Sequence, residues 1–236
     1  MTNRDLTLTP RAEDVRDKQN TETVVFFNLA QIKSHFEDNI TTIEKQFNIA
    51  DALGLDEKSE ECNTIYRTQI VLLESAFDFY IHELSKYGVI NIFEDNWPKT
   101  ERYKNMLIPM KHVENGLDSR ESNTWLLDFI NQRFARDTYT DYEPLNDQLN
   151  LLGINLTDTL KEAFPKPSSP DSSYREGKTI LRDLFRRRNQ IAHQSDRKHS
   201  NAEHNSINKD YVVKCIDEVK VIVAAIHAKA ELLSSN

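Results

Sequence analysis

Glycine is scarce in this chain, with five in 236 residues, where average usage of roughly 7% would supply about 16. That shortage argues against doubly wound nucleotide-binding sheets and turn-rich β-sandwiches, which need glycine at fixed positions. No GxxxxGK[ST] or GxGxxG segment is present to cradle a phosphate chain, and neither HExxH nor GxSxG occurs. Two cysteines, Cys62 and Cys215, are too few for a disulfide framework or a cysteine zinc site. No apolar run approaches twenty residues, so a membrane span is not expected. The first twenty residues, MTNRDLTLTPRAEDVRDKQN, have no apolar h-region to act as a secretory signal. These absences point to a cytoplasmic protein with no cofactor and no metal.

What is present is charge and helical periodicity. Charged residues make up 29% and hydrophobic residues 38%, with a net charge of −8. The average hides a local reversal. Between 175 and 199 there are eight basic and three acidic residues, so that segment carries +5 and the remainder −13. A short basic zone on an acidic body is a candidate anion site.

Apolar residues recur every three to five positions from 21 to 52, as in Ile32, Phe36, Ile40, Ile43 and Phe47. This predicts a long amphipathic helix stopped near Gly54. A second helix over 56–87 ends at Gly88, and its middle, IVLLESAFDFYIHEL, is apolar on nearly every face, as a buried central helix should be. Shorter helices are expected over 100–110, 119–135, 143–152 and 156–163. The run FPKPSSPDSS breaks the pattern as a Pro/Ser-rich loop over 164–174. Two final helices follow over 174–194 and 207–233. The expected architecture is all-α, a helical bundle in one domain over 21–236, with residues 1–20 as a flexible N-terminal segment.

On a wheel of about 100° per residue, the helix over 174–194 puts Ile180, Leu181, Leu184, Phe185, Ile191 and Ala192 on one core-facing side. Arg188 falls in the middle of that face. A buried guanidinium costs several kcal/mol unless it is paired. Either its tip snorkels to the edge of the bundle or it has an acidic partner. Glu74 and Asp78, one turn apart in the central helix with His82 a turn further, are the natural partners. Such a pair fits a structural salt bridge and a catalytic positioning role equally well. The opposite face carries Arg182, Arg186, Asn189 and His193 at spacings of four, three and four. A solvated basic stripe near a helix C-terminus accounts for it. So does a partly buried imidazole among arginines, able to exchange a proton near physiological pH. His199 and His204, beside His193 in a polar loop, have no regular metal-ligand spacing and read as solvated.

The run RRRNQIAHQSD, from Arg186 to Asp196, resembles the Arg-x(4–6)-His signature of HEPN domains in its Arg-Asn-x-x-x-His form. Arg188, Asn189 and His193 match it residue by residue. The motif ends a helix that follows a buried one and precedes a last amphipathic one, as in that family. The middle section, with WLLDFINQRFARDTY and LNDQLNLLGIN, further resembles the RiboL-PSP and MAE-type HEPN branches. The resemblance implies a HEPN-like bundle with additional short helices between the core helices, and a metal-independent endoribonuclease. Its two chains would form a homodimer through their motif helices. In that implied role His193 is general acid or base, Arg188 stabilises the phosphate, and Asn189 orients one or the other. Arg182, Arg186 and Arg187 would bind the RNA substrate, with Glu74 and Asp78 as positioning residues. Products would carry 2′,3′-cyclic phosphate and 5′-hydroxyl ends. The resemblance also implies a toxin with a neutralising antitoxin, or a phage-defence effector with its own partner. Two alternatives use the same residues: a catalytically inactive HEPN-like interaction or regulatory module, and a bundle that binds an anion without cleaving it.

Overall fold

A computed structural model describes residues 25–55, 59–118, 123–166 and 169–235. The expected flexible segment over 1–20 lies outside them. Among the described residues the chain forms nine helices and no strand: α1 (Leu29–Leu55), α2 (Ser59–Phe93), α3 (Glu101–Lys104), α4 (Met110–Asp118), α5 (Thr124–Phe134), α6 (Tyr142–Leu151), α7 (Leu156–Ala163), α8 (Pro170–Gln194) and α9 (Lys209–Ser234). The all-α expectation holds.

α1 starts at a reciprocal cap, in which the Gln31 N–H donates to the Asn28 side chain and the Asn28 N–H to the Gln31 side chain. Two of the four N–H groups orphaned at a helix start are thereby satisfied. Ile32, Phe36, Ile40, Ile43 and Phe47 then line its buried stripe against α2. α2 is the axis of the fold, packing against α1, α5, α6, α8 and α9. Its Leu73, Phe77, Tyr80, Ile81 and Leu84 are wholly enclosed, which is why no single polar face is legible in its sequence. α9 buries Val212, Ile216, Val219, Ile222 and Ile226. α3 to α7 lie in sequence between the long helices, and α7 packs on both α8 and α9.

Several boundaries depart from expectation, among them the start of α1, at Leu29 rather than near 21. α2 does not stop at Gly88 but runs on to Phe93. Gly88 is there for space: a Cβ would lie 2.8 Å from both the Leu152 and Trp97 side chains. The single helix expected over 100–110 ends at Lys104, and a new one starts at Met110, directly after Pro109. α8 begins at Pro170, inside the Pro/Ser stretch, because proline lacks only an N–H that the first turn leaves unpaired anyway. The loop expected over 164–174 is correspondingly shorter.

Gly88→Ala should destabilise the protein. The overpacking cost of about 1–3 kcal/mol outweighs the roughly 1 kcal/mol gained in helix propensity, and the urea midpoint should fall while the m-value stays constant.

Candidate functional site

Three consecutive arginines near the end of α8 point three ways. Arg188 turns inward and its Nε pairs with the Glu74 carboxylate of α2. Glu74 is fully buried, whereas the Arg188 side chain keeps a quarter of its surface exposed. The guanidinium is held from a second side, since Arg188 Nη1 donates to Asn189 Oδ1 at 2.9 Å. Burial pushes the Glu74 carboxyl up to about 7 from its usual 4.5, although the Arg188 charge and the Thr140 hydroxyl pull it down. Asp78, the other expected partner of Arg188, is engaged elsewhere. Its Oδ1 accepts the Tyr139 backbone N–H at 2.7 Å, and its Oδ2 lies 3.8 Å from His82 Nε2.

Arg187 does not reach the exposed face, so the expected contact with substrate gives way to a structural one. Its guanidinium makes a two-pronged pair with Asp196, one prong 2.9 Å long, and donates to the Ser206 carbonyl at 3.2 Å. Asp196 is completely buried and also takes Arg67 Nε of α2 at 2.7 Å. Asn205 adds its side-chain amide at 3.1 Å to Asp196 Oδ1. One carboxylate between two guanidiniums therefore ties α8, α2 and the loop before α9 together. The backbone there turns sharply, with positive φ at both Ser195 and Asp196. Sequence reasoning missed Asp196, because nothing local marks an acid in a polar loop as buried. The available signal was the excess of arginine beside it, which needs partners.

Arg186 and Arg182 remain outward, with 71% and 50% of their side chains exposed. Arg182 lies 3.3 Å from Glu143 and Arg186 3.7 Å from Asp183, loose surface pairs of little energetic weight. His193 sits in the last turn of α8 and is exposed, as is Ala192. The imidazole is thus not partly buried, because α8 has run past the core by its final turn. His204 is no solvated loop residue: its Nδ1 lies 2.9 Å from Glu60 Oε1, a contact that holds the Glu60 carboxyl below its usual range. His199 is exposed. Among the described residues no cluster of three His, Cys, Asp or Glu could hold a metal ion.

What the arrangement offers is a guanidinium locked in orientation with part of its surface open, an exposed imidazole five residues on, and two exposed, loosely paired arginines along one stripe. Arg188 and His193 lie about 140° apart around α8, so one copy of the helix does not aim both at one small ligand.

Two outcomes test this electrostatic frame. Asp196→Ala leaves two guanidiniums without their carboxylate and should cost about 3–5 kcal/mol, seen as a large fall in Tm. Glu74 binds a proton more readily folded than unfolded, so it contributes most to stability below about pH 4.5, and that contribution is lost as pH rises to about 7. Through this window the unfolding free energy of the wild type should drop relative to Glu74→Gln by about 3 kcal/mol. A difference between the two proteins that is flat with pH would disprove the elevated carboxyl.

No helix among the described residues is long and apolar enough to cross a membrane. No curated protein and no solved structure matches the chain. The family model described as RiboL-PSP-HEPN matches residues 29–231, a span that takes in every helix above from the first turn of α1 to the last of α9. HEPN families include ribonucleases, which points to a nuclease-type or RNA-related role. With the motif residues on α8 and the match running through the whole bundle, the chain belongs to the RiboL-PSP-HEPN family.

Proposed function

We propose that this protein is an endoribonuclease that cleaves RNA by internal attack of a ribose 2′-hydroxyl, leaving 2′,3′-cyclic phosphate and 5′-hydroxyl ends. The observation that carries the reading is Arg188, a guanidinium fixed from two sides by Glu74 and Asn189 yet open over a quarter of its surface. A donor fork held in advance can stabilise the charge that builds on a pentacoordinate phosphate without reorganising. His193, exposed at the end of the same helix, takes the 2′-hydroxyl proton or returns one to the departing 5′-oxygen. Arg182 and Arg186 attract the backbone, a task that weakens with salt.

Their separation around α8 favours a homodimer in which the two copies of α8 face each other, so that the Arg188 of one chain and the His193 of the other converge. The same reading makes the protein a toxin or phage-defence effector, held in check by a neutralising partner.

The buried Arg188–Glu74 pair also fits a second reading, an inactive HEPN-like interaction or regulatory module in which that pair is purely structural. Single-stranded RNA incubated in excess EDTA separates the two. The nuclease gives cyclic-phosphate ends, with the rate falling by about 10²–10⁴ in His193→Ala and at least 10² in Arg188→Ala. His193→Ala should keep wild-type circular dichroism, and Arg188→Lys, which keeps a charge opposite Glu74 but not the planar fork, should also stay folded while losing rate. DNA of the same sequence stays intact for want of a 2′-hydroxyl. Intact RNA leaves the inactive module, and variants that cut like the wild type overturn the roles given to Arg188 and His193. Poor growth of a host expressing the wild type, relieved by His193→Ala, supports the toxin assignment.

A further inference from the structure

Beside the exposed stripe of α8, where it runs past the start of α6, lies an open groove of about 390 Å³. Its chemistry differs from that of a phosphate channel. Three carboxamide residues, Asn189, Gln190 and Gln194, line it. Among the described residues neither Gln190 nor Gln194 makes a side-chain hydrogen bond, whereas Asn189 uses its oxygen on Arg188 and keeps its amino group free. Phe185 forms an aromatic wall and Asp141 an acidic one. Asp141 commits Oδ1 to the Tyr142 N–H at 2.7 Å. Arg182 and Arg186 stand at the rim.

Unpartnered carboxamides, each with a donor and an acceptor side by side, are the groups that read base edges. A ring beside them is the surface on which an unstacked base of single-stranded RNA rests. We propose that this groove is a subsite for one unstacked purine of the RNA strand, adjacent to the phosphate that is cut. The proposal rests on the ribonuclease reading and adds a substrate preference to it. Asn189 places the subsite next to the scissile position, because the same residue lines the groove and holds Arg188. Asp141 only accepts hydrogen bonds, so it favours a base with an exocyclic amino group over uracil, whose one edge donor, N3–H, is flanked by two carbonyl oxygens. The two-ring face of a purine covers more of Phe185 than cytosine does. The rim arginines take the flanking phosphates.

The test uses single-stranded oligouridine carrying one adenine, guanine or cytosine, with cut positions mapped. Cutting beside a purine should exceed cutting beside a pyrimidine by about tenfold or more, as expected for one good base contact. The double variant Gln190→Ala/Gln194→Ala should reduce that ratio to about threefold or less while still cutting at pyrimidine sites. Equal cutting beside all four bases in the wild type, or an unchanged ratio in the variant, overturns the subsite. Binding is read separately, by fluorescence anisotropy of short oligoadenylate against oligouridylate. Tighter oligoadenylate binding that the double variant abolishes supports the subsite even where no RNA is cut, in which case the nuclease reading alone fails. Equal binding of the two by a protein that cuts nothing overturns both.

Discussion

Two carboxylates with no exposed surface, Glu74 and Asp196, determine how α8 sits on α2. A buried carboxylate without a cation is among the more expensive features a core can carry. Each is met by an arginine from one turn of α8, Arg188 by Glu74 and Arg187 by Asp196. Asp196 is also met from the α2 side by Arg67. Removing either carboxylate leaves a largely enclosed guanidinium without its counter-charge. Around it the apolar packing of Leu181 and Leu184 against the central bundle contributes area but little orientation, since hydrophobic contact is non-directional.

The arginine triplet shows how adjacent residues of the same type acquire different work. Successive side chains on a helix diverge by about 100°, so Arg186, Arg187 and Arg188 meet solvent, the post-helix loop and the core in turn. The exposed Arg186 has the mobility and hydration suited to attracting a polyanion. Arg188 has lost that freedom and gained a fixed orientation, the property an electrostatic stabiliser needs. Arg187 holds the chain after Gln194 in place and so keeps the end of α8, where His193 sits, from fraying.

Much of this was legible in the residue pattern and some was not, for physical reasons. The buried stripe of α1, the all-round apolar face of α2 and the periodicity of α9 are strong signals because burial enforces them at every turn. The pairing of Arg188 with the acids of α2 followed from the cost of an inward guanidinium, although Glu74 alone takes it and Asp78 serves the Tyr139 backbone instead. Gly88 misled because glycine stops helices through backbone freedom but can also sit in one where a neighbour, here Trp97, comes too close for a Cβ. Pro170 opens a helix, although prolines around it suggested a loop throughout. The burial of Asp196 stayed hidden because Arg67, 129 positions away in the chain, meets it there, and no local pattern encodes such a meeting; the pairing of Arg187 with Asp196, nine residues on, depends on that same turn of the chain.

The two anchors also have a mechanical side. Arg67 and Glu74 stand seven residues apart on α2, two helical turns or about 10 Å, and α8 is fastened at both heights by neighbouring residues. Sliding or rolling α8 by one turn would strand two buried charges at once, so the motif helix behaves as a fixed rail rather than a ratchet. On the proposed function, access to it is then not governed by a shift of register within the bundle.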